Sequence, residues 1–198
     1  MSLHHHFEVR LPAWVEPFIG HWLNGGGPPL DTLEHRMLLA IALSAENVKQ
    51  STGGPFGAIV VSQETGHLAG IGVNLVTGSG LSAAHAEVVA LSLAQRSAKS
   101  WDLGSTAPMQ LISSCEPCAM CLGAVPWSGV ASLVCGADCI DAESAGFDEG
   151  DKPLNWTQNL AARGLDVKVH VLRQEAARVL QEYAEMAGEI YNPTRGQE

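Results

Sequence analysis

The chain has 198 residues, 46% of them hydrophobic and 16% charged, with a net charge of −10 and five cysteines. A chain of this size buries roughly 70% of its unfolded surface, so disulfide staples are not needed for stability. The odd cysteine count, with no charged start leading into an apolar run, points away from an oxidising compartment and to a cytoplasmic protein. Charges such as Lys49, Glu64, Glu87 and Arg96 interrupt every apolar run short of the ~20 residues that a membrane span needs. The balance of 21 acidic against 11 basic residues repels polyphosphates, which argues against nucleic acid as partner.

Residues 1–30 carry a short amphipathic turn at Trp14 to Leu23 and close on GGGPP, so they read as an extension behind a flexible boundary. Its run His4 to His6 has the character of a solvated tail. The remainder, 31–198, reads as one domain. Asp31, with Glu34 three residues on, is a plausible cap for a helix carrying Leu33, Met37, Leu38 and Ile41 at helical spacing. GAIVVS (Gly57 to Ser62) and HLAGIGVN (His67 to Asn74) form a hairpin across QETG. A helix over Ala84 to Ala98, a strand over Met109 to Ser113, a helix over Cys118 to Trp127 and a strand over Ala131 to Gly136 follow. Val167, Val169 and Val171 alternate in a last strand, Asp166 to Leu172, before a helix from Gln174 to about Ala187. Strands alternating with helices after a hairpin predict an α/β domain with a mixed sheet sandwiched by helices.

Three of the five cysteines lie in SSCEPCAMC, Ser113 to Cys121. Cys118 and Cys121 are three apart on the predicted helix and share a face, so both can meet one ion. Pro117 suits a helix start, whose free N–H groups favour thiolate over thiol. Two cysteines alone equally suit a redox pair. His85, in HAE at the opening of the preceding helix, completes three protein ligands and leaves a fourth position for water, the pattern of a catalytic zinc. Residues two apart point to different sides of a regular helix, so His85 and Glu87 address one ion only if His85 sits at an irregular entry. Cys115 reads as a small buried residue at a strand end, because Pro117 interrupts any face shared with Cys118.

HAEVVAL and SCEPCAMCLGA carry the H-x-E and P-C-x-x-C signature of zinc-dependent nucleobase deaminases. Over about residues 31–151 the chain resembles the cytidine deaminase superfamily. GGPFGAIVV, Asn74, GAVPW and DAESAGFD are closest to its bacterial guanine deaminases. The resemblance implies a three-layer α/β/α sandwich with a mixed five-stranded sheet and one zinc per chain on His85, Cys118 and Cys121. It also implies Glu87 as proton shuttle and hydrolysis of guanine to xanthine and ammonia, a step of purine catabolism. Substrate contacts are expected from Asn74, Phe56, Ala86, Trp127, Asp141 and Glu143. A homodimer is implied too, with residues 152–198 exchanged between subunits about a hinge at Gly150, Asp151 and Pro153.

The tRNA adenosine deaminases of the same superfamily share HAE, EPCxMC and the asparagine. Phe56, Trp127 and AGFD, Ala145 to Asp148, depart from their usual pattern, and the acidic balance lacks a phosphate-binding face. Deaminases of other small aminated heterocycles, such as triazines or cytosine, stay open because pocket shape selects the substrate. A non-catalytic zinc-stabilised binding module would need a fourth protein ligand and would have no use for Glu87.

Overall fold

The computed structural model describes residues 4–105 and 107–193. Residues 1–3 of the extension and the last five residues of the segment 152–198 lie outside them. In chain order the regular elements are α1 (Val15–His21), α2 (Leu33–Lys49), β1 (Gly57–Ser62), β2 (Leu68–Val73), α3 (Val76–Ser79) and α4 (Ala86–Ala98). They continue with β3 (Met109–Cys115), α5 (Ala119–Trp127), β4 (Ser132–Ala137), α6 (Cys139–Ser144), α7 (Trp156–Ala161), β5 (Asp166–Lys168) and α8 (Arg173–Glu185).

The five strands form one sheet in the order β2-β1-β3-β4-β5. β1 runs antiparallel to both β2 and β3, while β3, β4 and β5 run parallel, so the sheet is mixed. Both faces are covered, which is why β1 and β4 are buried at every residue instead of alternating with solvent. Ile59, Val61, Ile112 and Val134 point into a core with Met37, Leu39 and Leu43 of α2 and Val179 and Leu180 of α8. Their neighbours Ala58, Val60, Leu111 and Leu133 point to the other face, against Ala90 and Leu91 of α4, Val125 of α5 and Leu160 of α7. The period-two alternation of a strand thus fills two separate helix layers. β2 carries Gly70 and Gly72 because α4 crosses it closely: a Cβ at Gly72 would collide with the Ala86 carbonyl, and one at Gly70 with that of Ala90.

Several element ends differ from the sequence expectation. α2 is capped by Thr32, whose hydroxyl accepts the His35 N–H at 3.1 Å, and not by Asp31, whose carboxylate binds the His35 ring Nδ1 at 2.7 Å. Thr32 is the extended residue, and only an extended residue can swing its side chain over the first-turn donors. β5 stops at Lys168 instead of reaching Leu172, because His170 and Leu172 adopt positive φ (64° and 52°), which no strand accommodates. The segment before residue 31 is also more than a loose extension. Val15 and Ile19 of α1 and Leu30 are buried in the same core as α2, and the Trp14 indole donates to Thr52 Oγ1 at 3.0 Å.

Candidate active site

α4 and α5 begin at the same edge of the sheet, and their entries face each other. His85 is the N-cap of α4 in extended conformation (φ −71°, ψ 154°), and Cys118 is the N-cap of α5 in the same state (φ −62°, ψ 171°). An extended cap lets His85 turn away from the helix it precedes, so it and Glu87 converge although two residues separate them. His85 Nδ1 lies 3.5 Å from Cys118 Sγ and 3.6 Å from Cys121 Sγ. All three ligand atoms fall within 4.8 Å of one another. Tetrahedral zinc with Zn–S near ~2.3 Å and Zn–N near ~2.05 Å requires an S···N separation of about 3.6 Å. The donor set and its spacing therefore fit zinc, with the fourth position left open. Cys115 ends β3 facing the Asp138 carbonyl at 3.6 Å and is not part of this group.

A cavity of about 360 Å³ opens beside the triad, lined by His85, Glu87 and Cys118 on one side and by Phe147, Glu149, Tyr191 and Asn192 on another, with Phe56 and Asn74 between them. Its size lies in the ordinary range for a small-molecule site. Glu87 is 6% exposed, and burial, reinforced by the Cys118 thiolate, pushes its carboxyl up to about 7. Glu149, 7% exposed, is pushed up to about 8 for the same first reason. The hydrogen bond from Cys121 is the largest influence holding Cys118 down at about 4, while Cys121 itself is raised. A divalent cation at the triad lowers all four groups, because its charge replaces the missing counter-charge.

Asn74 is fixed on three sides. Its N–H donates to the Phe56 carbonyl at 3.0 Å, its carbonyl accepts from Asn47 Nδ2 at 2.9 Å, and its side-chain oxygen accepts the Val76 N–H at 3.2 Å. Because the Val76 group can only donate, the amide cannot flip, and the buried Nδ2 is left without a partner. Glu149 Oε2 is likewise buried and unpartnered. These are the two such side-chain atoms among the described residues, and both belong to cavity-lining residues, one a donor and one an acceptor. A buried polar atom without a partner is costly, and a ligand that supplies the complement removes the cost.

Of the expected substrate contacts, Phe56 and Asn74 line the cavity and four others do not. Ala86 is fully buried and packs among Ala58, Val60 and Ala90. Trp127 stands 79% exposed at the end of α5. Asp141 is occupied in a capping box with Asp138 and by Arg173, whose Nε and Nη2 reach its two oxygens at 2.9 and 3.1 Å. Glu143 is exposed on α6. Helix phase explains the last two: α6 turns its acidic side chains toward α8 or solvent, a choice that an acidic run in sequence does not reveal. Glu149, Phe147, Tyr191 and Asn192 escaped the sequence reading. Glu149 sits one residue beyond DAESAGFD in a stretch whose charges look solvated, and Tyr191 and Asn192 lie more than 100 residues from His85 in the sequence.

A buried ion pair braces the metal side. Lys152 Nζ donates to Glu116 Oε2 at 3.0 Å and to the Pro117 carbonyl at 3.3 Å, with the pair 7% and 8% exposed, and lies 5.2 Å from the centre of the Trp156 ring. The Ala119 N–H binds the Glu149 carbonyl at 2.9 Å, so the strand of chain holding Glu149 is pinned to the turn holding Cys118.

Residues 31–137 match the cytidine and deoxycytidylate deaminase zinc-binding region. The chain belongs to that family. It carries a zinc-binding deaminase domain, with His85, Cys118 and Cys121 as the group that fits the ion. Among curated relatives, it is 39% identical over 120 residues to the guanine deaminase of Bacillus subtilis, covering 58% of this chain and 74% of that one. It is 36% identical over 129 residues to a tRNA-specific adenosine deaminase of Buchnera aphidicola, covering 65% and 79%. The solved guanine deaminase from Nitrosomonas europaea superposes with a TM-score of 0.83 at 39% identity, over 93% of this chain and 100% of that one. A variant of NE0047 solved with 8-azaguanine superposes equally well (TM-score 0.83, 40% identity, 91% and 98% covered). These deaminase relatives share the mixed sheet between helix layers described above.

Proposed function

We propose that this member of the family hydrolyses guanine to xanthine and ammonia. The observation that carries the reading is the pair of unsatisfied atoms in the cavity: a donor fixed on Asn74 and an acceptor on Glu149. Guanine's edge offers acceptors at O6 and N7 and donors at N1–H and the 2-amino group, which complements both. The guanine deaminase of Nitrosomonas europaea and the 8-azaguanine complex, similar over more than nine-tenths of this chain, support it. A zinc ion bound at the triad supplies a water whose pKa is lowered toward neutrality. Glu87 would take the proton that this water gives up and deliver it to a purine ring nitrogen, and would then carry a second proton, from the new C2 hydroxyl, to the departing amine. The net change forms a C2–O bond and breaks the bond from C2 to the amine. Glu149 holds the base by its N–H edge. Phe56 and Phe147, with centroids 4.9 Å apart at 75°, border the slot with apolar surface.

A tRNA substrate is disfavoured by the lining. Glu87, Glu116, Asp148 and Glu149 face the cavity, and its described lining contains no lysine or arginine to meet a phosphate. No helix among the described residues is long and apolar enough to cross a membrane. A cytoplasmic role in purine catabolism agrees with these features.

The protein is further read as a homodimer. α5 contains no charged residue and exposes Met120 (41%) and Trp127 (79%), and Ile140 (62%) is exposed on the following helix. In the single chain, Tyr191 and Asn192 close the chain's own cavity; exchange of residues 152–198 would make the same contacts between subunits. Light scattering of the wild type and of Trp127→Glu tests the dimer.

The deciding experiment is ammonia release by zinc-replete protein from guanine, adenine, cytosine, guanosine and a tRNA anticodon stem-loop. Xanthine appearing from guanine supports the reading. Release from the RNA alone transfers it to the tRNA branch.

A further inference from the structure

The segment before residue 31 lies outside the matched family region, yet a chain of hydrogen bonds runs from it to the cavity. The Trp14 indole N–H donates to Thr52 Oγ1 at 3.0 Å. The Thr52 hydroxyl donates in turn to Asn47 Oδ1 at 2.7 Å. Asn47, fully buried in α2, places both amide hydrogens on carbonyls, at 2.9 Å to Gly54 and 2.9 Å to Asn74. The Gly54 and Asn74 carbonyls can only accept, which fixes Asn47 Oδ1 as an acceptor, and the indole N–H can only donate, so the Thr52 hydroxyl accepts from Trp14 and donates to Asn47. Each group gives its proton toward the cavity, an arrangement in which the bonds polarise one another.

The relay ends on the residue whose orientation matters. The Asn74 carbonyl is held by Asn47 and its N–H by Phe56, and the unpartnered Nδ2 points where those bonds leave it. The loop between them is packed to contact: a Cβ at Gly53 would collide with the Asn74 carbonyl. Trp14 is held from outside by Phe18, edge to face at 5.7 Å, so the donor that starts the relay depends on α1 being docked.

We propose that Trp14, Thr52 and Asn47 are positioning residues through which the N-terminal helix sets the aim of the Asn74 amide at the substrate. This rests on the deaminase reading above. The segment then serves substrate affinity and not the chemical step, because Glu87 and the metal ligands are held by α4 and α5 and share none of these bonds.

The test is steady-state deamination of guanine by the zinc-replete full chain carrying Thr52→Val, Thr52→Ser or Trp14→Phe, with thermal unfolding alongside. Thr52→Val removes the hydroxyl at nearly constant volume, and Trp14→Phe removes the indole donor while keeping a ring against Phe18. Both are expected to raise KM roughly threefold to tenfold with kcat within about twofold, and Thr52→Ser to restore the wild-type KM. An unchanged KM in both variants overturns the proposal. So does a fall in kcat that tracks a lowered Tm, since that is what a merely structural contact gives. Wild-type protein that releases no xanthine overturns the deaminase reading and this inference with it, whereas turnover with unmoved KM overturns this inference alone.

Discussion

His85 and Cys118 stand at the starts of two helices that a buried sheet holds from behind, whereas Tyr191 and Asn192 reach the same cavity on a tail that follows the last helix. The metal side rests on α4, whose close approach to β2 needs Gly70 and Gly72, and on the buried Lys152–Glu116 brace. The tail side is held by a few hydrogen bonds and ring contacts: Asn192 Nδ2 to the Gly146 carbonyl at 2.9 Å, the Asp148 N–H to Asn192 Oδ1 at 2.9 Å, the Tyr183 hydroxyl to the Glu189 carbonyl at 2.7 Å, and Tyr191 against Phe147 with centroids 5.3 Å apart. Metal ligands tolerate errors of only a few tenths of an ångström, so they belong on elements that cannot open without global unfolding. The opposite side rests on fewer contacts, so it is the side whose local opening costs least.

The largest effect should come from the metal side. Glu87→Gln keeps the ligands and removes the proton carrier, so kcat is expected to fall roughly 10²–10⁴-fold while zinc content, read by metal analysis, stays at one per chain. Loss of zinc with activity would make Glu87 part of the scaffold instead. Lys152→Met leaves the Glu116 carboxylate buried without its partner, and denaturant unfolding should show a loss of about 3–5 kcal/mol. A milder loss would mean that water reaches Glu116 from the cavity.

Breaking the tail side should act on binding. Asn192→Ala removes two bonds worth about 1 kcal/mol each, so KM for guanine is expected to rise by up to roughly 30-fold with little change in unfolding midpoint. Equal losses of stability in Asn192→Ala and Lys152→Met would erase the contrast between the two sides. The smallest effect concerns acid stability. The Arg173 hydrogen bond holds the Asp141 carboxyl below its ordinary value, against a smaller opposing effect of burial. A depressed carboxylate contributes stability above its unfolded pKa of about 3.9 and loses it as pH falls through the lower folded value. Arg173→Met should therefore cost stability near neutrality and leave it unchanged at the acid end, visible as a flatter dependence of Tm on pH below about pH 4.

Much of the metal side was legible in sequence because its information is local. A histidine and glutamate two apart, and two cysteines three apart after a proline, state their chemistry within a few residues. The apolar run of GAIVVS and the succession of strands and helices after the hairpin likewise follow from composition and spacing. The N-terminal segment reads in sequence as an extension behind a flexible boundary, since Val15 and Ile19 make too short an apolar face to reveal that they are buried in the core. Trp127 and Asp141 were placed in the site on motif alone, and the phase of α5 and α6 turned them elsewhere.

The sequence by itself thus determined the fold class and the group that fits zinc, and singled out Glu87 beside it, all of which depend on residues close along the chain. Only the tertiary structure decided which carboxylates line the cavity, what closes it and how the first helix reaches Asn74. Those depend on contacts between residues tens to more than a hundred positions apart, and such contacts are selected by packing and burial, which leave no periodic signal in the chain.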